Sequence, residues 1–207
     1  MRFVLSILFG LVCCVSFSQS PKDQKKIEKY ILAGDYKAAE AVTDKMISVN
    51  DGNINAFYIR SEIRKLLGDY KGAVKDLSKV QKLLDEPSDK IYSSIAFLEL
   101  EQNNTQSALS SINKALDISA KSETYWYQKG EILSDLGQYK KSNECLDKAK
   151  SFANDLTDEM SAALKANFGK NYFHLNDITT ASRYLTEAIQ LQKYNYTARL
   201  YLSLIHI

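Results

Sequence analysis

The sequence predicts an all-α fold in which about five helix pairs repeat along the chain and a sixth begins. Three observations predict it. The 207 residues include only eight Gly and two Pro, too few for a turn-rich β fold. A short phrase recurs at near-constant spacing: Gly34-Asp35-Tyr36-Lys37-Ala38-Ala39 returns 34 residues later as Gly68-Asp69-Tyr70-Lys71-Gly72-Ala73. Apolar residues flank the phrase at three- and four-residue intervals, the period of an amphipathic helix.

Further copies of the phrase follow. Asn103-Asn104-Thr105-Gln106-Ser107-Ala108 lies 35 residues after the second copy, and Gly137-Gln138-Tyr139-Lys140-Lys141-Ser142 follows it. A degraded copy, Asn176-Asp177-Ile178-Thr179-Thr180-Ala181, comes 39 residues after Gly137, so about five residues are inserted in the fourth unit. The Gly or Asn ends one helix, because these residues tolerate a left-handed backbone. The Tyr two residues on is expected to fill the wedge between two helices, and the later Ala or Ser to let them approach closely. In the second unit the spacing predicts helices over roughly Ile54–Leu67 and Lys71–Leu84. Phe57, Ile59, Ile63, Leu66 and Leu67 mark the first, and Val74, Leu77, Val80, Leu83 and Leu84 the second. Asn50-Asp51-Gly52-Asn53 lacks the alternating acids and closing Glu of a calcium loop and reads as a turn between repeats.

The opening residues differ from the rest. Arg2 precedes the apolar stretch Phe3–Val15, and Ser16 and Ser18 bracket Phe17. This is the order of a secretory signal peptide, expected over residues 1–18. The apolar run is shorter than the roughly 20 residues a spanning helix needs, so no membrane span is expected in the mature chain. Val12 before Cys13 disfavours a lipid anchor. The expected location is exported, periplasmic or secreted. With Cys13 and Cys14 removed, Cys145 stands alone and reads as a small buried residue.

The repeat resembles the tetratricopeptide repeat family. The fourth unit carries the fullest pattern, with Trp126, Gly130, Gly137, Tyr139 and Ala149. The second supplies Phe57, Ser61, Gly68, Tyr70 and Ala73. The third supplies Tyr92, Ala96, Ala108 and Ala115, and the fifth Gly169, Tyr172, Ala181 and Ala188. The resemblance implies an α-α superhelix, or solenoid, over residues 19–201, with units at about 20–53, 54–88, 89–122, 123–161, 162–195 and a partial 196–201. The Pro that usually closes each unit is mostly absent, so longer or less sharply bounded second helices are expected. Residues 202–207 can be encoded by a string resembling a transposase end sequence used in library preparation, and are expected to be non-native read-through.

In that family the first helices line a concave face that accepts an extended peptide or a helix. Matching places here are Tyr58, Glu62 and Lys65; Ser93, Phe97 and Leu100; Tyr127, Glu131 and Ser134; and Ala166, Lys170 and Phe173. Tyr58, Phe97, Tyr127 and Phe173 would form an aromatic track with charges beside it, as protein interfaces favour. One subtype of the family clamps a ligand carboxylate with Lys and Asn; Gln24 and Glu28 stand at that place, so that ligand is not expected. Glu62, Glu131 and Asp135 point instead toward basic or polar segments.

The formal charge of +2, with Lys interleaved among acids, leaves no basic footprint for nucleic acid. The chain has two His, no metal-ligand spacing and no phosphate loop, so neither catalysis nor a cofactor is expected. His174 reads as a structural or groove-facing side chain. The sequence therefore predicts a non-catalytic scaffold that binds a protein or peptide. The alternative is the extracytoplasmic sensor half of a larger signalling protein.

Overall fold

The computed structural model describes residues 21–205. The expected signal peptide and the last two residues of the expected read-through, His206 among them, lie outside that range. The described residues form eleven helices: α1 (Pro21–Leu32), α2 (Tyr36–Val49), α3 (Ile54–Leu66), α4 (Tyr70–Leu83), α5 (Asp89–Glu101), α6 (Thr105–Ile118), α7 (Glu123–Asp135), α8 (Tyr139–Phe152), α9 (Asp158–His174), α10 (Ile178–Leu191) and α11 (Tyr196–Ile205). No described residue is in a strand. The chain divides into two compact units after Pro87. The first holds the hairpins α1–α2 and α3–α4. The second holds α5–α6, α7–α8 and α9–α10, with α11 packed against α10 and α9.

Each hairpin turns through the recurring phrase, and the backbone shows why. Gly34, Gly68 and Gly137 have φ of 74°, 76° and 72°, and Asn103 and Asn176 have 59° and 63°. These are the left-handed positions that close a helix. The residue after each donates its N–H back across the last turn: Asp35 to the Tyr30 carbonyl at 2.9 Å, Asp69 to Arg64 at 2.8 Å, Asn104 to Glu99 at 2.8 Å, Gln138 to Leu133 at 2.8 Å and Asp177 to Tyr172 at 2.9 Å. Where that residue is Asp, its carboxylate also caps the next helix. Asp35 accepts from the Ala38 N–H at 3.0 Å, Asp69 from Gly72 at 2.9 Å and Asp177 from Thr180 at 3.1 Å. One side chain thus ends one helix and begins another.

Within the hairpins a small residue on the first helix faces a large one on the second. Gly130 meets Leu146 and Gly169 meets Leu185, Ala96 shares a core cluster with Ile112, and Ser61 and Leu77 are both buried at the corresponding places. The glycines mark the closest approaches. A Cβ on Gly130 would lie 2.8 Å from Leu146 Cδ2, and one on Gly169 would lie 2.5 Å from both Cγ and Cδ2 of Leu185. Four residues before each large knob, Ala73, Ala108, Ser142 and Ala181 are fully buried, as is Ala39 in the first hairpin.

Two sequence-based expectations change. The second helices are not longer or diffuse: α2, α4, α6, α8 and α10 all have 14 residues. An extended C-cap residue stops each of α2, α4 and α8 without Pro: Asn50, Leu84 and Ala153. The insertion in the fourth unit goes mainly into the helix that follows. α9 has 17 residues where α3, α5 and α7 have 13. Residues 50–53 form the expected turn, in which the Asn50 side chain accepts from the Gly52 N–H at 3.0 Å. Cys145 is buried, and that burial pushes its thiol pKa up.

Gly169→Ala is expected to destabilise the protein, measured by denaturant unfolding. Overpacking costs about 1–3 kcal/mol, against about 1 kcal/mol gained by replacing a helical glycine. Because the Leu185 Cγ, not only its tip, is in the way, the net should be a loss. Gly130→Ala, with more room, should be closer to neutral.

Candidate functional site

In the first unit α3 carries Tyr58, Glu62 and Lys65 at helical spacing on one face. Tyr58 is half-buried, and burial together with the Glu62 charge pushes its phenol pKa up to about 12. Glu62 forms an ion pair with Lys65, one turn along the same helix. The other side of α3 holds a charge network that the periodicity did not reveal. Arg60 spans from Asp76 on α4, through bonds of 2.9 and 2.6 Å, to Asp44 on α2 at 2.7 Å. Arg64 reaches Glu40 at 2.7 Å and Asp76 at 2.9 Å. Asp76 is only 2% exposed, so two guanidinium groups compensate one buried carboxylate. The only sequence trace is the spacing of 16 residues from Asp44 to Arg60 and from Arg60 to Asp76.

In the second unit the residues that follow the small hole positions are Phe97 on α5, Glu131 on α7 and Lys170 on α9. Phe97 leaves 47% of its surface exposed, although its neighbour Ala96 is buried. Tyr127 and Glu131 lie one turn apart on α7, and burial raises the pKa of each. Asn167 of α9 donates its amide to the Tyr127 hydroxyl at 2.8 Å. Lys170 pairs with Asp135 of α7 at 2.8 Å. Between α5 and α7, the Ser93 hydroxyl donates to Gln128 Oε1 at 2.6 Å. The structure thus brings Tyr127 and Glu131 together and ties Lys170 to their helix.

Other matched places serve packing. Ser134 is buried and donates to Asn171 Oδ1 at 2.7 Å. Asn171 in turn donates to the Ser142 hydroxyl and to Asn143 Oδ1, both at 2.8 Å. Ala166 is buried with Leu185, Ala188 and Ala198. Ser93 is buried, and Leu100 packs on the core of the third repeat. Phe173 is half-buried, its ring edge-on to His174 at 5.5 Å and to Tyr201 at 5.3 Å. His174 stacks on Tyr139 with centroids 4.7 Å apart, and its Nε2 lies 3.1 Å from the Tyr201 hydroxyl. Tyr139 therefore stacks on a ring of the following repeat as well as standing at its own turn. Asn167 and Gln128 were missed by sequence reasoning: one lies beyond the insertion that shifts the register, and the other is one residue from the place the pattern points to.

These features define a helical-hairpin repeat protein whose first helices present polar and aromatic side chains. Residues 123–156, spanning α7 and α8, match the tetratricopeptide repeat family model. The fold of the described chain is that of tetratricopeptide repeat proteins. It is similar to a MamA fragment from Desulfovibrio magneticus RS-1, with a TM-score of 0.72, 17% identity and coverage of 86% of this chain and 99% of that one. It is also similar to YrrB, a TPR protein with an unusual peptide-binding site, with a TM-score of 0.68, 15% identity and coverage of 86% and 88%. A third similar structure is the C-terminal part of a TPR repeat-containing protein from Cytophaga hutchinsonii, with a TM-score of 0.67, 13% identity and coverage of 87% and 69%. No curated protein matches the sequence. Among the described residues no helix is long and apolar enough to cross a membrane.

Glu131 carries a stability signature that can be measured. Desolvation raises its folded-state pKa. Its ionised form therefore costs stability once the pH exceeds the unfolded-state value, and the cost is complete above the folded-state value. Glu131→Gln should raise the unfolding temperature at neutral pH. The gap from wild type should close as the pH falls below the ordinary glutamate value, where both states are protonated.

Proposed function

We propose that the protein is a non-catalytic scaffold that binds a protein or peptide segment on the first-helix face of its repeats. The observation that carries this reading is the second unit's face. There an exposed aromatic, Phe97, stands in register with the half-buried Glu131 and the hydrogen-bonded Tyr127–Asn167 pair. An aromatic anchor beside oriented polar groups is what protein recognition uses. The likeness to a structure described by its peptide-binding site supports the same reading. Tyr58, Glu62 and Lys65 are proposed as the first unit's contribution, and Phe97, Tyr127, Glu131, Lys170 and Phe173 as the second's.

The binding would take place outside the cytoplasm. What supports this is the charge, apolar core and small-residue order of residues 1–18.

Two outcomes follow. A photoreactive phenylalanine analogue at position 97 should cross-link a small set of polypeptides. The same group at position 49, where Val49 is 82% exposed on a second helix, should not. A folded Phe97→Ala/Tyr127→Ala variant should hold those polypeptides at least about tenfold more weakly, the scale of losing interface anchors; equal retention would remove this face from the function. For the location, intact mass and N-terminal sequencing of the protein from its native host should find Gln19 first. A mature chain that keeps Met1 would refute export by a cleaved leader.

A further inference from the structure

The three acids on these faces have different surroundings. Glu62 is neutralised by Lys65, three residues along its own helix. Asp135 is neutralised by Lys170 at 2.8 Å. Glu131 occupies the place in the fourth repeat that Glu62 holds in the second, but the residue three further on is Ser134, which is buried and committed to Asn171. Among the described residues Glu131 takes part in no ion pair; beside it are the neutral Tyr127 phenol and the Asn167 amide, joined to each other at 2.8 Å. The carboxylate is thus partly stripped of water, with the nearby cation, Lys170, engaged by Asp135. A charge in that state gains most from a partner that arrives with its own positive charge. One repeat earlier, in the equivalent position, the exposed Phe97 ring offers a surface for an apolar side chain or the face of a guanidinium.

We propose that the first-helix face of the second unit selects peptide segments that carry lysine or arginine, with the cation docking on Glu131 and a neighbouring side chain resting on Phe97. This rests on the peptide-binding reading above and specifies its ligand. Asn167 already holds the Tyr127 hydroxyl at 2.8 Å, so this part of the face needs little ordering on binding.

The test is a random-peptide display selection on the full chain, run in parallel on Glu131→Gln and Lys170→Met, with all three shown to be folded by circular dichroism and thermal melting. Wild type should enrich peptides with Lys or Arg beside an aliphatic or aromatic residue. Glu131→Gln should lose that preference. Lys170→Met should keep or strengthen it, because Asp135 is then left without its cation. A synthetic peptide of the enriched sequence should bind Glu131→Gln about tenfold more weakly, as expected for one charge-assisted hydrogen bond. Replacing its Lys by norleucine should cost wild type the same factor and the variant almost nothing. Its affinity for wild type should also fall as the pH is lowered and Glu131 is protonated. The titratable and charged groups facing Glu131 are Tyr127 and Asp135 on α7 and Lys170 on α9. Enriched peptides without a cation, or a preference unchanged by Glu131→Gln, would overturn this proposal and leave the binding reading standing. A selection that enriches nothing would overturn both. Binding of a free diamine as tightly as the peptide would overturn the assignment to a peptide.

Discussion

Every hairpin in the chain depends on closing one helix and opening the next within a few residues. The left-handed Gly or Asn bends the backbone, and the following residue sends its N–H back to a carbonyl five residues earlier. When that residue is Asp, its carboxylate takes up an orphan N–H of the new helix. Because the turn is so short, it also sets the rotation of the second helix relative to the first. The pairing of small hole and large knob at a separation of 16 residues follows from that rotation. Leu77, Ile112, Leu146 and Leu185 are all fully buried, sixteen residues after Ser61, Ala96, Gly130 and Gly169. The first hairpin keeps the register but exchanges the sizes: the large residue is Ile27 on α1 and the small one is Thr43 on α2, both buried.

Beside the knobs, polar groups are packed between the helices as well, and the two units use them differently. On α3 of the first unit, the arginines turn toward α2 and α4 and tie three helices around Asp76. In the second unit, the corresponding cohesion comes from Asn171. Fully buried, it bonds to Ser134 on α7 and to Ser142 and Asn143 on α8. Its oxygen accepts and its nitrogen donates twice, so a neutral group satisfies what in the first unit takes ionic pairs. Neutral amides avoid the desolvation cost of buried charge, which suits a site buried among three helices.

The hairpins were legible in the sequence because their determinants are local. A Gly-Asp-Tyr phrase and an apolar period of three and four specify cap, turn and crossing with no information from distant residues. What was not legible depends on which neighbour a helix meets. Ala166 reads as a face residue by its distance from Gly169, yet α10 and α11 close over it, and it is buried with Leu185 and Ala198. Ser134 reads as face-lining by the same count, but the lengthened α9 brings Asn171 against it. The sharp ends of the second helices were hidden for a different reason. An extended C-cap at Leu84 or Ala153 is a backbone state that many residues adopt, whereas Pro would have announced it. The Arg60–Asp76 contact joins residues of adjacent helices through side-chain reach, which no periodicity encodes.

The same reasoning explains why Glu131 keeps an uncompensated charge. In the second repeat, Glu62 meets Lys65 three residues on, where the helix face is open enough for a long cation. In the fourth repeat that place must be small, because Ser134 fills a buried site and completes the hydrogen bonds of Asn171. A lysine there would bury its stem against α9 and leave Asn171 without its donor, a cost expected to exceed what one half-buried ion pair returns. The network that joins the fourth and fifth repeats therefore excludes a lysine three residues after Glu131. The nearest alternative, Lys170, is drawn to the more exposed Asp135. Cohesion between these repeats and the open charge on their face are two consequences of one buried serine.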